Sequence, residues 1–188
     1  MFNVSSMYCI NSDYKCDKIM YKKFITEIQD FPIEGVSFKD ISPLLADDKV
    51  FRKVIRKMGH LVDADFPMCY PDYWIAIDAR GFIFASALSV WFGGGVVMCR
   101  KAGKLPPPIA SHKYKTEYSE DELEMRSGSG TVVIVDDVLA TGGTLRAVNE
   151  LCQIAGYTVI HNIVLIDLQY IPRVDNFDLE VKSLIQYE

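Results

Sequence analysis

Residues 131–144, TVVIVDDVLATGGT, restrict the folds open to this chain more than any other segment. The first part is β-branched and continuously apolar, which is typical of a central parallel strand covered on both faces. Two carboxylates follow, then a small glycine-containing loop, and then a helical pattern over 144–155 with Gly156 at its C′ position. A buried strand leading through a short loop into a helix predicts an α/β fold.

Strand and helix patterns alternate along the chain. Short apolar runs predict strands at 73–79, 95–99, 131–135 and 159–168. Periodic or apolar segments predict helices from Asp17 to a stop at Phe31-Pro32, from Asp47 or Asp48 to Val62, over 82–92, and over 144–155. The helix over 82–92 is apolar nearly all round, as a buried helix would be. This alternation predicts a mainly parallel sheet flanked by helices, with ligands at the carboxyl ends of the strands.

The stretch from Lys101 to Tyr118 is long, polar and stiffened by Pro106-Pro107-Pro108. Loops of this length are uncommon in compact domains and often serve as lids, so we expect a lid loop here. Residues 1–16 are polar and non-periodic, which indicates a loose N-terminal tail. The remaining residues, 17–188, are expected to form one domain.

Composition argues against several classes of protein. The net charge of −5 argues against non-specific nucleic-acid binding. No apolar run approaches the roughly 20 residues that a membrane helix needs. Five scattered cysteines without a CxxC spacing, together with three histidines, argue against both a disulfide framework and a zinc site. The first residues lack the pattern of a secretory signal, so a cytoplasmic protein is expected.

The loop that follows Asp136 and Asp137 has the composition of an anion-binding site. Gly142 and Gly143 allow the backbone to approach a ligand closely, and the amides of 140–144 lie at the positive end of a helix. The Walker A pattern GxxxxGK[ST] is absent. Carboxylates suit sugar hydroxyls or a hydrated Mg²⁺ better than a phosphate alone. A lone TGGT would fit a glycine-capped helix, but the complete string favours a phosphorylated sugar.

The same string resembles the signature with which type I phosphoribosyltransferases bind phosphoribosyl pyrophosphate (PRPP). Three further segments resemble the adenine phosphoribosyltransferase family: DFPIEGVSFKDISPLL at 30–45, IDARGF at 77–82 and RKAGKLP at 100–106. The ending SLIQYE at 183–188 is also similar. The resemblance covers about residues 18–188. It implies the type I phosphoribosyltransferase fold, an α/β fold whose central, mainly parallel sheet is flanked by helices and which carries a flexible lid loop.

The resemblance implies a purine salvage enzyme that joins adenine to the ribose of PRPP, giving AMP and pyrophosphate. It also implies Mg²⁺ carried by PRPP without a direct protein ligand, and a homodimer. The composition and the first residues, as above, predict a cytoplasmic protein with no nucleic-acid or membrane partner. A phosphoribosyltransferase for another base, or a PRPP-sensing regulator without turnover, remain alternatives. The segment at 30–45 favours the adenine enzyme, because a pure sensor need not keep it.

The resemblance also assigns roles to individual residues. The 5′-phosphate would be bound by Ala140, Thr141, Gly142, Gly143 and Thr144. The ribose hydroxyls would be bound by Asp136 and Asp137, with Mg²⁺ near them. The pyrophosphate would be bound by Arg80, Arg100, Lys101 and Lys104, with a strained peptide bond in the 78–81 loop. Adenine would be bound by the segment with Ser37, Phe38 and Lys39, and Glu117 would act as the catalytic residue near N7 of the base.

Several of these positions also have simpler interpretations. The family commonly has an apolar residue and an arginine where this chain has Ser37 and Lys39. Recognition of the base by the backbone survives both changes, whereas a role for a guanidinium group would not. Without the resemblance, Arg80 fits a surface arginine or a salt bridge in a dimer, and Lys101 fits a solvated turn. Glu117 would then be one of a run of solvated acids.

Overall fold

The computed structural model describes residues 20–63, 70–115 and 120–188. The chain divides into two compact units, residues 1–54 and 55–188. In the first unit, β1 (Thr26–Ile28) and β2 (Phe38–Asp40) form a two-stranded antiparallel sheet. The short helix α1 (Ser42–Ala46) follows, and the Asp40 carboxylate accepts a hydrogen bond from its first backbone amide at 2.9 Å.

The helix predicted from Asp17 to Phe31 is confirmed at residues 20–22 and is wrong at residues 26–28. Residues 20–22 are helical, but residues 26–28 form strand β1. The spacing of the apolar residues in this segment fits either a helix or a strand. Pairing with β2 selects the strand, since Ile28 lies opposite Phe38 and Thr26 opposite Asp40.

The helix predicted after Asp47 is confirmed as α2 (Asp48–Asp63). The Asp47 carboxylate accepts hydrogen bonds from the backbone amides of Lys49 and Val50, both at 3.0 Å, and so caps the helix. The apolar stripe of α2 is buried at Val54, Ile55, Met58 and Val62. Its solvent-facing side carries most of its basic residues.

The second unit contains a seven-stranded sheet in the order β5-β6-β4-β3-β7-β8-β9. Its strands are β3 (Tyr73–Ile77), β4 (Gly95–Lys101), β5 (Ile109–Lys115), β6 (Glu120–Arg126), β7 (Gly130–Leu139), β8 (Tyr157–Leu168) and β9 (Lys182–Tyr187). Its helices are α3 (Gly81–Phe92) and α4 (Gly143–Ala155). Strands β4, β3, β7, β8 and β9 pair in parallel, whereas β6 is antiparallel to both β4 and β5.

Continuous apolar runs place β3 and β7 at the centre of this sheet. Ile75 and Ile134 are fully buried, and they pack in one cluster with Val148 and Leu151 of α4. At the start of the two strands, the backbone amide of Thr131 donates a hydrogen bond of 2.7 Å to the Asp72 carboxylate. The two central strands are therefore in fixed register, and their carboxyl ends lie side by side.

The strand order reverses at β3. The chain leaves β3 through α3 to β4 on one side, whereas β7 pairs with the other side of β3. Ligands of open α/β sheets bind at such a reversal, outside the carboxyl ends of the strands. Close packing at this point requires glycine, since a Cβ atom on Gly81 would lie 2.7 Å from the Val135 carbonyl oxygen. The topology thus brings the 78–81 loop against β7.

The structure departs from the sequence-based predictions at the end of β7, in the loop at 101–118 and in the burial of α3. Strand β7 continues past Val135 to Leu139, so both aspartates lie within the strand. Much of the predicted loop at 101–118 is strand β5, whose inward residues Ala110, His112 and Tyr114 are too weakly apolar to give a clear alternating pattern. Helix α3 is buried on one side only, since Val90 on its outer face is 89% exposed. Within residues 20–63, 70–115 and 120–188, no helix combines the length and apolar character needed to cross a bilayer.

Candidate functional site

The loop that joins β7 to α4 encloses a cavity of about 100 Å³. It is lined by Asp136, the loop residues 140–142 and Thr144 at the start of α4. Gly142 is left-handed, with φ +86°, and a Cβ atom there would lie 2.5 Å from the Phe177 ring. Glycine is therefore required at position 142 by backbone conformation and by packing together. The predicted loop residues Ala140, Thr141, Gly142, Gly143 and Thr144 are thus brought together at a helix N-terminus, where a negative charge is stabilised.

Two residues to which sequence analysis assigned no role, Arg173 and Val174, form hydrogen bonds with this loop. The Arg173 guanidinium donates hydrogen bonds to the Ala140 carbonyl and to the Asp167 carboxylate. The backbone amide of Val174 donates to the Thr141 carbonyl at 2.8 Å. Two consecutive carbonyls of the loop are therefore engaged by the protein, which fixes the orientation of its peptide groups. No local pattern in the sequence signals this role for Arg173.

Asp136 and Asp137 form a coupled pair of acids beside the loop. The Asp137 backbone amide donates a 2.9 Å hydrogen bond to Asp136 Oδ1. Burial raises the pKa of Asp136 well above its usual range, and the neighbouring Asp137 charge adds to that rise. Burial also raises the pKa of Asp137, against the opposing effect of Arg80, whose Nε lies 2.8 Å from Asp137 Oδ2. This contact is an ion pair without hydrogen-bond geometry.

The 78–81 loop carries Arg80 and lies beside the end of β4. The peptide bond between Asp78 and Ala79 is cis. The Asp78 backbone amide donates to the Cys99 carbonyl at 3.0 Å, and the Asp78 carboxylate accepts from Arg100 Nε at 3.0 Å. Arg80 and Arg100 therefore occupy the carboxyl ends of neighbouring strands. Two of the four basic residues that the resemblance assigns to pyrophosphate thus lie at one edge of the sheet.

Lys101 and Lys104 lie further along the same edge. The Lys101 ammonium is 3.5 Å from an Asp121 carboxylate oxygen on β6, and 68% of its side chain is exposed. Lys104 is exposed in a turn that the buried Glu124 carboxylate holds by accepting a 2.9 Å hydrogen bond from the Gly103 amide. In this structure, Lys101 is thus engaged by the β5–β6 hairpin.

The predicted adenine-binding segment lies in the first unit. Ser37 Oγ donates a 2.5 Å hydrogen bond to Glu27 Oε1, and the buried Lys39 ammonium lies 2.9 Å from the same oxygen. These two contacts lower the pKa of Glu27 to about 2. Phe38 packs edge-to-face on Phe31, with ring centroids 5.1 Å apart. Ser37 and Lys39, the two positions that depart from the family pattern, therefore both contact the Glu27 carboxylate. Glu117 lies outside the described residues.

The chain is similar to known proteins in both sequence and structure. Residues 44–186 match the model of the phosphoribosyl transferase domain. The chain is 42% identical over 166 residues to the adenine phosphoribosyltransferase of Bdellovibrio bacteriovorus, which covers 88% of this chain and 98% of that protein. It is also similar to a solved adenine phosphoribosyltransferase from Thermoanaerobacter pseudethanolicus, with 37% identity, a TM-score of 0.80, and coverage of 90% of this chain and 99% of that one. The Saccharomyces cerevisiae enzyme, solved with an imino-altritol bisphosphate and adenine, has 29% identity and a TM-score of 0.84, with coverage of 90% of this chain and 99% of that one.

Proposed function

Because this chain belongs to the adenine phosphoribosyltransferases of the phosphoribosyl transferase domain family, we propose that it transfers the 5-phosphoribosyl group of PRPP to adenine. The products are AMP and pyrophosphate, and the reaction serves purine salvage. The observation that carries the proposal is the meeting of the anion loop, the acid pair and Arg80 at the strand-order reversal. Residues 17–188 are proposed as the catalytic domain.

The phosphorylated sugar is proposed to bind along the end of β7. Backbone amides of 140–144 would hold the 5′-phosphate at the positive end of α4. The ribose hydroxyls would donate hydrogen bonds to Asp136, which lines the cavity, and to Asp137, whose backbone amide donates to Asp136 Oδ1. A hydroxyl bound to Asp137 would compete with Arg80 for that carboxylate. The guanidinium of Arg80 would then turn from Asp137 to the pyrophosphate.

The leaving pyrophosphate requires positive charge, which Arg80, Arg100, Lys101 and Lys104 would supply. Among the described residues, no group of three or more metal-ligating side chains is found. Two adjacent carboxylates do fit Mg²⁺ carried by PRPP, because this ion usually binds one or two carboxylates together with substrate phosphates. When bound, Mg²⁺ neutralises charge on the leaving group.

The transfer forms a bond from C1 of the ribose to N9 of adenine while the bond from C1 to the pyrophosphate oxygen breaks. Positive charge grows on the ribose and on the base, and the pyrophosphate takes the electron pair of the broken bond. Adenine must lose one proton as N9 forms the new bond, and Glu117 is proposed as the catalytic residue near N7 that takes up this proton. Backbone groups of 36–39 are proposed to bind adenine, with Phe38 packed beneath the base.

The test is product formation from PRPP, Mg²⁺ and each base in turn. We expect AMP from adenine, with a much lower kcat/KM for hypoxanthine and guanine, and no product after chelation of divalent metal. Equal kcat/KM for hypoxanthine would contradict the adenine assignment while leaving the fold intact. PRPP binding by calorimetry without any nucleotide product would support the alternative of a regulator.

A homodimer in the cytoplasm is part of the proposal. The outer face of α3 exposes Ile83, Val90 and Trp91, and the neighbouring strand β4 exposes Val96 and Met98. Exposed apolar patches of this kind mark protein interfaces. Light scattering should give the mass of a dimer, and V90D should shift that mass to a monomer without unfolding the chain. A monomeric wild-type protein at micromolar concentration would refute this assignment.

A further inference from the structure

Arg173 and Val174 hold two consecutive carbonyls of the 140–144 loop. The Arg173 guanidinium donates a hydrogen bond to the Ala140 carbonyl, and the Val174 backbone amide donates to the Thr141 carbonyl at 2.8 Å. The cavity that the loop encloses is lined by other residues, including Ala140 and Thr141 themselves. The two donors therefore reach the loop from outside the cavity.

The geometry of the peptide unit converts these contacts into a direction for the loop amides. The peptide bonds from Ala140 to Gly142 are trans, and in a planar trans unit the N–H points opposite to the C=O. The amides of Thr141 and Gly142 therefore point away from the donors that hold the carbonyls. The Gly142 carbonyl accepts the first helical bond, from the Arg146 amide at 3.0 Å, which aligns the Gly143 amide as well.

Asp167 fixes the Arg173 guanidinium at the end of the neighbouring strand. Its carboxylate accepts a hydrogen bond from Nη2, while Nη1 donates to the Ala140 carbonyl. Asp167 is buried and pairs in register with Leu139, the last residue of β7. Gln169 donates to the other carboxylate oxygen of Asp167 at 3.3 Å. The planar guanidinium fork thus joins two acceptors, a geometry that a lysine ammonium does not offer.

The segment that follows Arg173 is attached to α4. The Arg146 guanidinium donates a 2.7 Å hydrogen bond to the Asp175 carbonyl. The Phe177 ring lies against Gly142, and its centroid is 6.0 Å from the Arg173 guanidinium carbon. Residues 173–177 are therefore held by β8 at one end and by α4 at the other, which makes them a fixed support for the loop.

We propose that Arg173 is a positioning residue that fixes the amides of the 140–144 loop for the 5′-phosphate of PRPP, and that Asp167 orients Arg173; this inference rests on the proposed function of that loop. Amides that are already aligned bind an anion without the cost of ordering the loop. In a loop without this support, a peptide unit can turn its carbonyl towards the phosphate, and a carbonyl oxygen repels an anion. The Asp167 carboxylate offsets the charge of Arg173, so Arg173 acts through the loop.

The first test removes the guanidinium. R173M should raise KM for PRPP and Kd for AMP, which carries the same 5′-phosphate, by at least about tenfold, the lower limit for a hydrogen bond to a charged group. The kcat and the KM for adenine should stay near their wild-type values, because the loop does not contact the base. R173M leaves the buried Asp167 carboxylate without its partner, which destabilises the fold. R173M/D167N removes both charges and should show the same rise in KM and Kd in a more stable chain.

D167N distinguishes positioning from direct contact with the phosphate. If Asp167 orients Arg173, D167N should raise KM for PRPP about two- to tenfold, the range for one hydrogen bond. If Arg173 contacts the phosphate itself, loss of the opposing charge should instead lower KM. The double variant should match R173M alone, because Asp167 acts on the loop only through Arg173.

A matched control removes a cation from the other end of the sheet. Lys182, the first residue of β9, donates to the Leu61 carbonyl at 3.1 Å. Strands β8 and β9 are parallel, so Lys182 lies at the end of the sheet away from the site. K182M should change stability at most and leave KM for PRPP unchanged. Thermal unfolding of every variant checks that the fold persists.

The outcomes separate this inference from the function on which it rests. Wild-type protein that binds neither AMP nor PRPP in calorimetry would refute the proposed function of the loop. Wild-type binding with unchanged affinity in folded R173M/D167N would overturn the role of Arg173 alone. A lower KM in D167N, or additive effects of R173M and D167N, would also overturn it, since Arg173 would then act on the phosphate directly or independently of Asp167.

Discussion

Replacement of Gly142 by alanine should destabilise the fold, whereas the same change at Gly143 should not. A side chain at 142 must adopt φ +86°, and its Cβ atom would lie 2.5 Å from the Phe177 ring. The left-handed conformation costs about 1–2 kcal/mol. Overpacking against an aromatic ring adds about 1–3 kcal/mol. The sum predicts a loss of about 2–5 kcal/mol in the free energy of unfolding.

Gly143 is the matched control within the same loop. A Cβ atom there would meet Val174 at 3.6 Å, which is ordinary van der Waals contact, and its backbone is helical. G143A should therefore leave stability unchanged or slightly raised, because alanine is the better helix former. The added methyl group should still weaken PRPP binding by crowding the approach to the backbone amides.

The assay pairs unfolding with ligand binding on the same preparations. For a chain of this size, the expected loss in G142A lowers the thermal midpoint by roughly 4–20 °C. The double variant G142A/F177L should recover the packing part of this loss but not the backbone part. Wild-type stability in G142A would refute the reasoning. Unchanged PRPP affinity in G143A would contradict the close approach of phosphate to this loop.

Three further predictions concern acidic groups. Burial raises the pKa of Asp136 in the folded state, so its favourable contribution to folding is present below its unfolded pKa and is lost as pH rises through the raised value. D136N should therefore increase the free energy of unfolding at pH 7 in urea titrations, while it raises KM for PRPP. The pKa of Glu27 is lowered to about 2, so its contribution is present above its unfolded pKa, about 4.3, and is lost as pH falls towards 2. As the pH falls from about 4.3 towards 2, the thermal midpoint of E27Q should therefore fall less than that of the wild type. The difference should be small and reduced by salt, because the Glu27 side chain is 49% exposed. E117Q should lower kcat by about 10²-fold or more with PRPP affinity nearly intact, whereas E122Q should stay near wild type; the reverse pattern would show that the catalytic glutamate is misassigned.

The predicted type I phosphoribosyltransferase fold and the adenine phosphoribosyltransferase family are confirmed. The elements that sequence analysis located well are those whose signals lie within a few residues. Asp47 caps α2 through amides that directly follow it, and Gly156 ends α4 in the left-handed conformation. The string from Gly130 to Thr144 likewise specifies a strand, a loop and a helix in immediate succession.

The errors occur where pairing partners decide the structure. Residues 26–28 become a strand because β2 pairs with them, and Ile109–Lys115 becomes a strand because β6 does. Neither segment has a strong alternating pattern of its own. Strand β7 extends beyond its apolar run, because β8 continues to pair with it as far as Leu139. Backbone hydrogen bonds to a neighbour can thus extend a strand through polar residues.

The sequence by itself determined which residue types stand at the site, because the anion loop, the acid pair and the 78–81 loop are each contiguous in the chain. Only the tertiary structure decided what holds them. Arg173 meets the Ala140 carbonyl across 33 positions of sequence, and His112 of the edge strand β5 lies 2.7 Å from the Glu150 carboxylate of α4. Such contacts depend on strand order and on the packing of β5 along α4, and no spacing of residues along the chain encodes them locally.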